Sequence, residues 1–249
     1  MRKNIIVAMA SLAFLPAVSF AAAPTLSDVL GASGITETGY IDAGYTATNL
    51  TAPHSNGFHF NQVSLTLSKL PAEGFGGLVS AALGNDAYAI NLAYGDTPTN
   101  LAVTQAYVQY ATGALTVIGG RFTTLAGAEV IDQTLDANIS RSLLFGIQTF
   151  VHTGIRATYK VSDMLTVIGG VNNTAFGPDG LAFIPNSSLG VGLTDINQQK
   201  AIELGVTLAP MSNLTVAVSH YRDTTGTGQP GRIDLTDLVT NYQATKALS

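Results

Sequence analysis

Between residues 62 and 68 the chain alternates without a break. Val63, Leu65 and Leu67 fall on one side, and Gln62, Ser64, Thr66 and Ser68 on the other. A period of two predicts a β-strand with one apolar and one polar face. The pattern returns with Ile155, Ala157, Tyr159 and Val161 against Gly154, Arg156, Thr158 and Lys160. It returns again with Ile202, Leu204, Val206 and Leu208 against Glu203, Gly205 and Thr207. A block of different character, Leu115-Thr116-Val117-Ile118-Gly119-Gly120, repeats unchanged as Leu165-Thr166-Val167-Ile168-Gly169-Gly170. A looser copy, Leu214-Thr215-Val216-Ala217-Val218-Ser219, follows. Each copy sits just after a tight polar turn: Thr112-Gly113, Ser162-Asp163 or Ser212-Asn213. The repeating unit is strand, short turn, strand, long polar loop, which is the pattern of an antiparallel up-and-down β-barrel.

Short connections are expected near Pro71, Thr112, Ser162, Ser212 and Lys246, and long ones near Pro53, Asp96, Asp136, Pro185 and Gly228. Together they predict an all-β fold of about ten strands with the start of an eleventh. The first strand covers about residues 35–46, and its pattern does not decide which side faces in. Residues 84–100 are rich in Asn, Asp, Gly and Pro and read as a loop. The paired glycines of the repeat weaken a strand but allow a bulge or curvature. Leu26, Val29 and Leu30 have helical spacing, so residues 22–33 are either a short amphipathic turn or a tether before the barrel.

Composition sharpens this picture. Hydrophobic residues make up 46% of the 249-residue chain and charged residues only 11%, against about 25% charged in a typical soluble protein. No run near the N-terminus approaches the ~18 apolar residues of a helical span. Apolar surface carried as alternation suits a transmembrane barrel, which shows lipid one face of each strand and water the other. Arg2 and Lys3, an apolar stretch from Ile5 to Val18, and Ser19-Phe20-Ala21 have the layout of a secretory signal, assigned to residues 1–21. Residues 22–33 are then a periplasmic segment and 34–249 the barrel. Cleavage leaves 9 of the 11 basic residues against 16 acidic ones, a balance that argues against a nucleic-acid partner. The chain has no Cys, so disulfides and thiolate metal sites are excluded.

Several longer motifs carry a family likeness. They include Gly39-Tyr40-Ile41-Asp42-Ala43-Gly44-Tyr45, Glu73-Gly74-Phe75-Gly76-Gly77 and Gln105-Ala106-Tyr107-Val108-Gln109-Tyr110. Thr124-Leu125-Ala126-Gly127-Ala128-Glu129-Val130-Ile131, Ser140-Arg141-Ser142-Leu143-Leu144-Phe145-Gly146 and His152-Thr153-Gly154-Ile155-Arg156 continue it. In these the chain resembles the putative beta-barrel porin-2, or OmpL-like, family of Gram-negative outer membranes. The resemblance implies an outer-membrane location, passage of small hydrophilic solutes and insertion by the barrel-assembly machinery, with a homo-oligomer admitted; it names no solute. Such barrels end on a strand that closes on the first. This chain ends at Ala247-Leu248-Ser249, in mid-hairpin, which predicts a truncated product and a partial barrel.

No enzyme signature is present. His54, His59, His152 and His220 are isolated, no Gly-Lys-Ser/Thr follows the Gly-rich segments, and no nucleophile elbow occurs. No metal or cofactor is expected. Permeation needs a wet lumen, a constriction and charges that bias entry. Candidate lining charges are Arg121, Arg141, Arg156 and Lys160 against Glu129, Asp132 and Asp136. On a transmembrane strand Arg156 and Lys160 should face the lumen, because a basic residue facing mid-bilayer costs ~2–4 kcal/mol. The connection of about residues 123–151 is too apolar for a free loop, so it is expected to fold against the inner wall. That would set its three carboxylates opposite Arg121, Arg156 and Lys160, with Arg141 pairing one of them. The alternative to a channel is a non-conducting barrel with a structural, adhesive or receptor role.

Overall fold

The computed structural model describes residues 25–48, 55–94, 97–136, 138, 141–142, 145, 150–175, 200–224 and 232–244. The proposed signal segment and the apolar pair Leu143-Leu144 lie outside them. Residues 1–34 form one unit and 35–249 another. In the first, α1 (Leu26–Ser33) is a true helix. Thr25 caps it, its hydroxyl accepting from the Asp28 amide while the Asp28 carboxylate accepts from the Thr25 amide. The Thr25 hydroxyl, donating to the Asp28 carboxylate at 2.7 Å, and then the Thr25 amide hold that carboxyl below its ordinary pKa. Gly34, at φ 71°, ends the helix in the left-handed conformation.

The second unit is a single ten-stranded antiparallel sheet in strict sequence order. Its strands are β1 (Thr36–Thr48), β2 (Ser55–Lys69), β3 (Gly74–Leu83), β4 (Leu101–Thr112) and β5 (Leu115–Thr123). They continue as β6 (Val151–Lys160), β7 (Leu165–Asn172), β8 (Ala201–Met211), β9 (Leu214–Thr224) and β10 (Arg232–Tyr242). Every neighbouring pair is a hairpin, as the repeat predicts. Among the described residues β1 pairs only with β2 and β10 only with β9, so the sheet is a partial barrel.

Burial is inverted relative to a water-soluble protein. Leu65 and Ile155 are 54% and 61% exposed, whereas Gln62 and Glu203 are 0% exposed. The alternating apolar faces therefore point outward, and the polar faces are covered from within. Such a surface is stable where hydrocarbon replaces water. In β1 the same test sends Ile41 and Tyr45 outward and, by register with Gln62 and Ser64, Asp42 and Tyr40 inward.

The 84–100 connection departs from the loop expectation. It contains α2 (Asn85–Tyr94). Ala87 and Ile90 of this helix pack on Ala82 and Ala102 of the inner wall, with Ile131 against them. The inner wall has small residues there, which leaves room for a helix. Asn91 pins it by donating to Leu101 O at 2.8 Å.

Candidate functional site

Arg156 sits on the polar face of β6, opposite Ile118 on β5 and Gly170 on β7. Gly170 in turn opposes Glu203 on β8. With no side chain between them at β7, the Arg156 guanidinium spans to Glu203, its Nη2 donating to Oε2 at 2.8 Å. A Cβ on Gly170 would come within 3.0 Å of Glu203 Oε1. The second glycine of the repeat is thus the gap through which a buried ion pair closes. Arg156 also donates to Thr123 O at 2.9 Å and lies 4.3 Å from the centroid of the Phe122 ring. Asn172 adds a donor to Glu203 at 3.2 Å. A bidentate, hydrogen-bonded pair of this kind survives burial because each charge finds its partners.

Beside this pair, Tyr221 of β9 is wholly buried and stacks on His152 of β6, with ring centroids 4.8 Å apart. The Tyr221 hydroxyl accepts from the Leu125 amide at 2.8 Å and from Thr124 Oγ1 at 3.1 Å. The Gly127 amide donates to Asp237 of β10 at 2.9 Å. Leu125 lies over Gly205 of β8, where a Cβ would strike its Cδ1 at 2.9 Å. Ala126 joins Tyr221 and Ala201 in one apolar cluster. The third long loop therefore leaves β5 and docks on the inner face of β8, β9 and β10. Its next turn, Gln133–Leu135, meets β1 on the other side of the lumen. The loop crosses the inner face of the sheet.

Arg141 holds this crossing in shape. It pairs with Asp136, donates to Val130 O, and donates through Nη2 to Ile131 O at 2.9 Å. Its guanidinium lies 4.2 Å from the Phe145 ring centroid, and Phe145 packs on Phe150 at 4.4 Å. Asp136 also accepts from the Val130 amide at 3.0 Å. Glu129 accepts from the Ser142 amide at 3.1 Å, and Asp132 caps the short turn by accepting from the Thr134 amide at 3.0 Å. The expected pairing of Arg141 with a loop carboxylate is thus present, inside the loop itself.

The expected set of opposing wall charges is corrected in three places. Arg156 faces inward, but Glu203 takes its charge. Lys160 shares the Arg156 face yet sits at the short-turn end of β6, largely exposed and 2.7 Å from Asp163. Arg121 is in register with Ala106 and Thr153, so strand alternation puts it on the outer face, opposite to Phe122 and His152. Its Nη1 donates to Val103 O at 3.1 Å. Glu203, Tyr221, Asp237 and Gly205 were not among the candidates. A lone carboxylate in a strand of Ile, Leu and Val was the available signal for Glu203. Nothing local marked the other three, whose partners in the third loop are 80 or more positions away in the chain.

Two open spaces flank the loop. One, of about 920 Å³, lies between it and β9–β10, beside Glu129, Ser142, Leu235, Asp237 and Asn241. The other, of about 440 Å³, lies between it and the inner face of β1–β4. No cluster of three metal-ligating side chains occurs among the described residues.

An up-and-down sheet with an apolar outer face, a polar inner face and a loop across its lumen defines a transmembrane β-barrel. Residues 34–249 match the family model described as "Putative beta-barrel porin-2, OmpL-like", and the chain belongs to that family. No individual curated protein matches the chain.

Proposed function

We propose that the protein is an outer-membrane porin that passes small hydrophilic solutes or ions by passive diffusion, with the third loop as its narrowest point. The observation that carries this reading is the pair of open spaces, each lined by polar and apolar groups together, left on either side of a loop docked across the inner face. A barrel built only to be filled would close such spaces with side chains. In this reading residues 1–21 are removed on export and the apolar outer face meets outer-membrane lipid. Glu129 and Asp136 border the space toward β9–β10 and Asp132 the space toward β1–β4, while Arg141 and Arg156 line neither. Lys160 belongs to the entrance on the short-turn side.

The test is planar-bilayer recording with the folded protein. Discrete conductance steps are expected, and deletion of residues 135–145 should enlarge them. The second reading, a non-conducting barrel, is favoured by one observation: α2 and the third loop both occupy the inner face. Folded, membrane-inserted protein that gives no steps, with or without the deletion, would decide for it.

A further inference from the structure

The outer face changes character at one corner of the sheet. Ser219, Tyr221 and Asp223 are buried on the inner side of β9, so its outward positions run Val218, His220, Arg222 toward the long-loop end. In register with them on β10 are Leu238, Thr236 and Asp234, with Arg232 beyond. At the level of Arg222 the neighbouring strands are still apolar: Ile202 on β8 and Val171 on β7, both exposed. The charges therefore stand beside an apolar wall. Asp234 organises them. Its carboxylate accepts from Arg222 Nε at 3.0 Å and from Arg232 Nε. His220 Nε2 lies 3.5 Å from the same carboxylate, while its Nδ1 meets Thr236 Oγ1 at 2.9 Å. One carboxylate thus fixes two guanidiniums, and the group keeps a net positive charge. Both side chains stay more than half exposed, 52% for Arg222 and 62% for Arg232. Engaged at Nε, they turn their Nη edges to the surroundings.

The geometry points to a lipid-binding site: the Arg222–Arg232 pair holds the phosphate of a phosphorylated lipid in the leaflet on the long-loop side. The depth fits. β9 has 11 residues, about the length that crosses hydrocarbon, and Arg222 is the third from its long-loop end. An outward arginine is expensive at mid-bilayer and tolerated toward the interface, where lipid phosphates lie. The chemistry fits as well. A guanidinium edge bonds two phosphate oxygens at once, and two arginines held by a shared carboxylate lose little freedom on doing so. A free anion would use the arginines alone. A lipid also covers the apolar wall beside them, its acyl chains lying along Ile202, Leu204, Val218 and Leu238, all exposed. The site belongs to the outward face of the barrel and does not depend on conduction.

The experiment uses the full chain folded in detergent micelles, with folding checked by heat-modifiable gel mobility. Native mass spectrometry then follows bound lipid as diphosphoryl lipid A or its dephosphorylated form is added, with inorganic phosphate as a competitor. Saturable retention of diphosphoryl lipid A is expected. The dephosphorylated form should bind roughly tenfold more weakly or worse, and a moderate excess of inorganic phosphate should not displace the lipid. The double variant Arg222→Gln/Arg232→Gln should weaken retention roughly 30-fold, and Lys160→Gln, at the short-turn end, should leave it unchanged. Arg232→Gln alone, with a loss of roughly fivefold, is the variant to use if the double one does not fold. Equal retention of the dephosphorylated lipid, or unchanged retention in the folded arginine variants, overturns the proposal. So does the same loss in Lys160→Gln, which would reduce the effect to overall charge. Displacement by inorganic phosphate would make the pair a free-anion site, and arginine variants that alter only the oligomeric state would assign the patch to a second copy of the chain; either result overturns the lipid site.

Discussion

Replacing Tyr221 by Phe isolates the hydroxyl that ties the third loop to the wall. The ring stays, so the stack on His152 and the packing against Ala126 and Ala201 are kept and no cavity opens. The hydrogen bonds from the Leu125 amide at 2.8 Å and from Thr124 Oγ1 at 3.1 Å are lost, together with the one the hydroxyl makes to Glu203. The threonine hydroxyl can turn to His152, 3.3 Å away. The Leu125 amide has no such substitute in the docked loop. A buried donor left unsatisfied costs ~1–3 kcal/mol, and each 1.4 kcal/mol is a factor of about ten in a population. The undocked loop should therefore be populated roughly 5- to 140-fold more. It should not be lost, because Gly127 still donates to Asp237 and Leu125 still rests on Gly205. Hydrogen exchange read by mass spectrometry on the folded protein would show this directly. Peptides covering residues 124–130 should exchange at least about fivefold faster, while those from β6 and β7 keep their protection. Unchanged exchange in residues 124–130 would refute the tether. Loss of protection in β6 and β7 as well would show that Tyr221 supports the sheet rather than the loop.

Three further predictions follow from the same geometry. Glu203→Gln should lower the unfolding free energy by ~3–5 kcal/mol, because it strands the buried Arg156 charge; a shift in the urea midpoint measures it, and the double variant Arg156→Met/Glu203→Leu should recover much of the loss. Arg141→Ala should release Asp136 and the Phe145 contact, making the loop between Val130 and Ser142 more sensitive to protease and shifting the reversal potential toward stronger cation preference. An unchanged digestion pattern would show that Arg141 is not the staple. Leu65→Cys should react with a lipid-soluble maleimide and resist a water-soluble one, and Ser64→Cys should do the reverse; the opposite result would invert the assigned faces.

The strands were legible in the sequence wherever polar and apolar residues alternate. In β2, β6 and β8 the period of two fixes both the element and its outward face, because hydrocarbon on one side and polar side chains on the other leave a single phase. The repeated Leu-Thr-Val-Ile-Gly-Gly block is legible as a strand but not as a phase. Val117 and Ile118 are both apolar, and only the ladder to β6 shows that Ile118 shares the Arg156 side. That is why Arg121 reads equally well as a lumen charge until the register is known. The Arg156–Glu203 pair is hidden for a related reason. It joins side chains 47 positions apart, brought together by two hairpin registers and an intervening glycine. The helix α2 was hidden by its ends: Gly84 before it, Asn85 and Asp86 in its first turn and Pro98 after it have loop composition, while Ala87 and Ile90 supply only a short apolar stripe. The inward path of the third loop was readable because its apolar residues demand cover, but its anchor points are long-range.

Where the charges are neutralised changes what a pore in this barrel can discriminate. The wall was expected to be basic and the loop acidic, with a transverse field between them. Instead Arg156 is compensated by Glu203 within hydrogen-bond distance, so at the range of a passing solute the wall pair acts as a dipole and its field falls quickly. Lys160 stands at the entrance beside Asp163, where water and salt screen it. The third loop, by contrast, carries Glu129, Asp132 and Asp136 against Arg141 alone, and Asp237 meets it from β10. The net charge near the crossing is negative, and most of it sits on the loop rather than on the wall. Anything that undocks the loop then changes width and charge together, so conductance and selectivity should rise and fall as one property in a porin of this design.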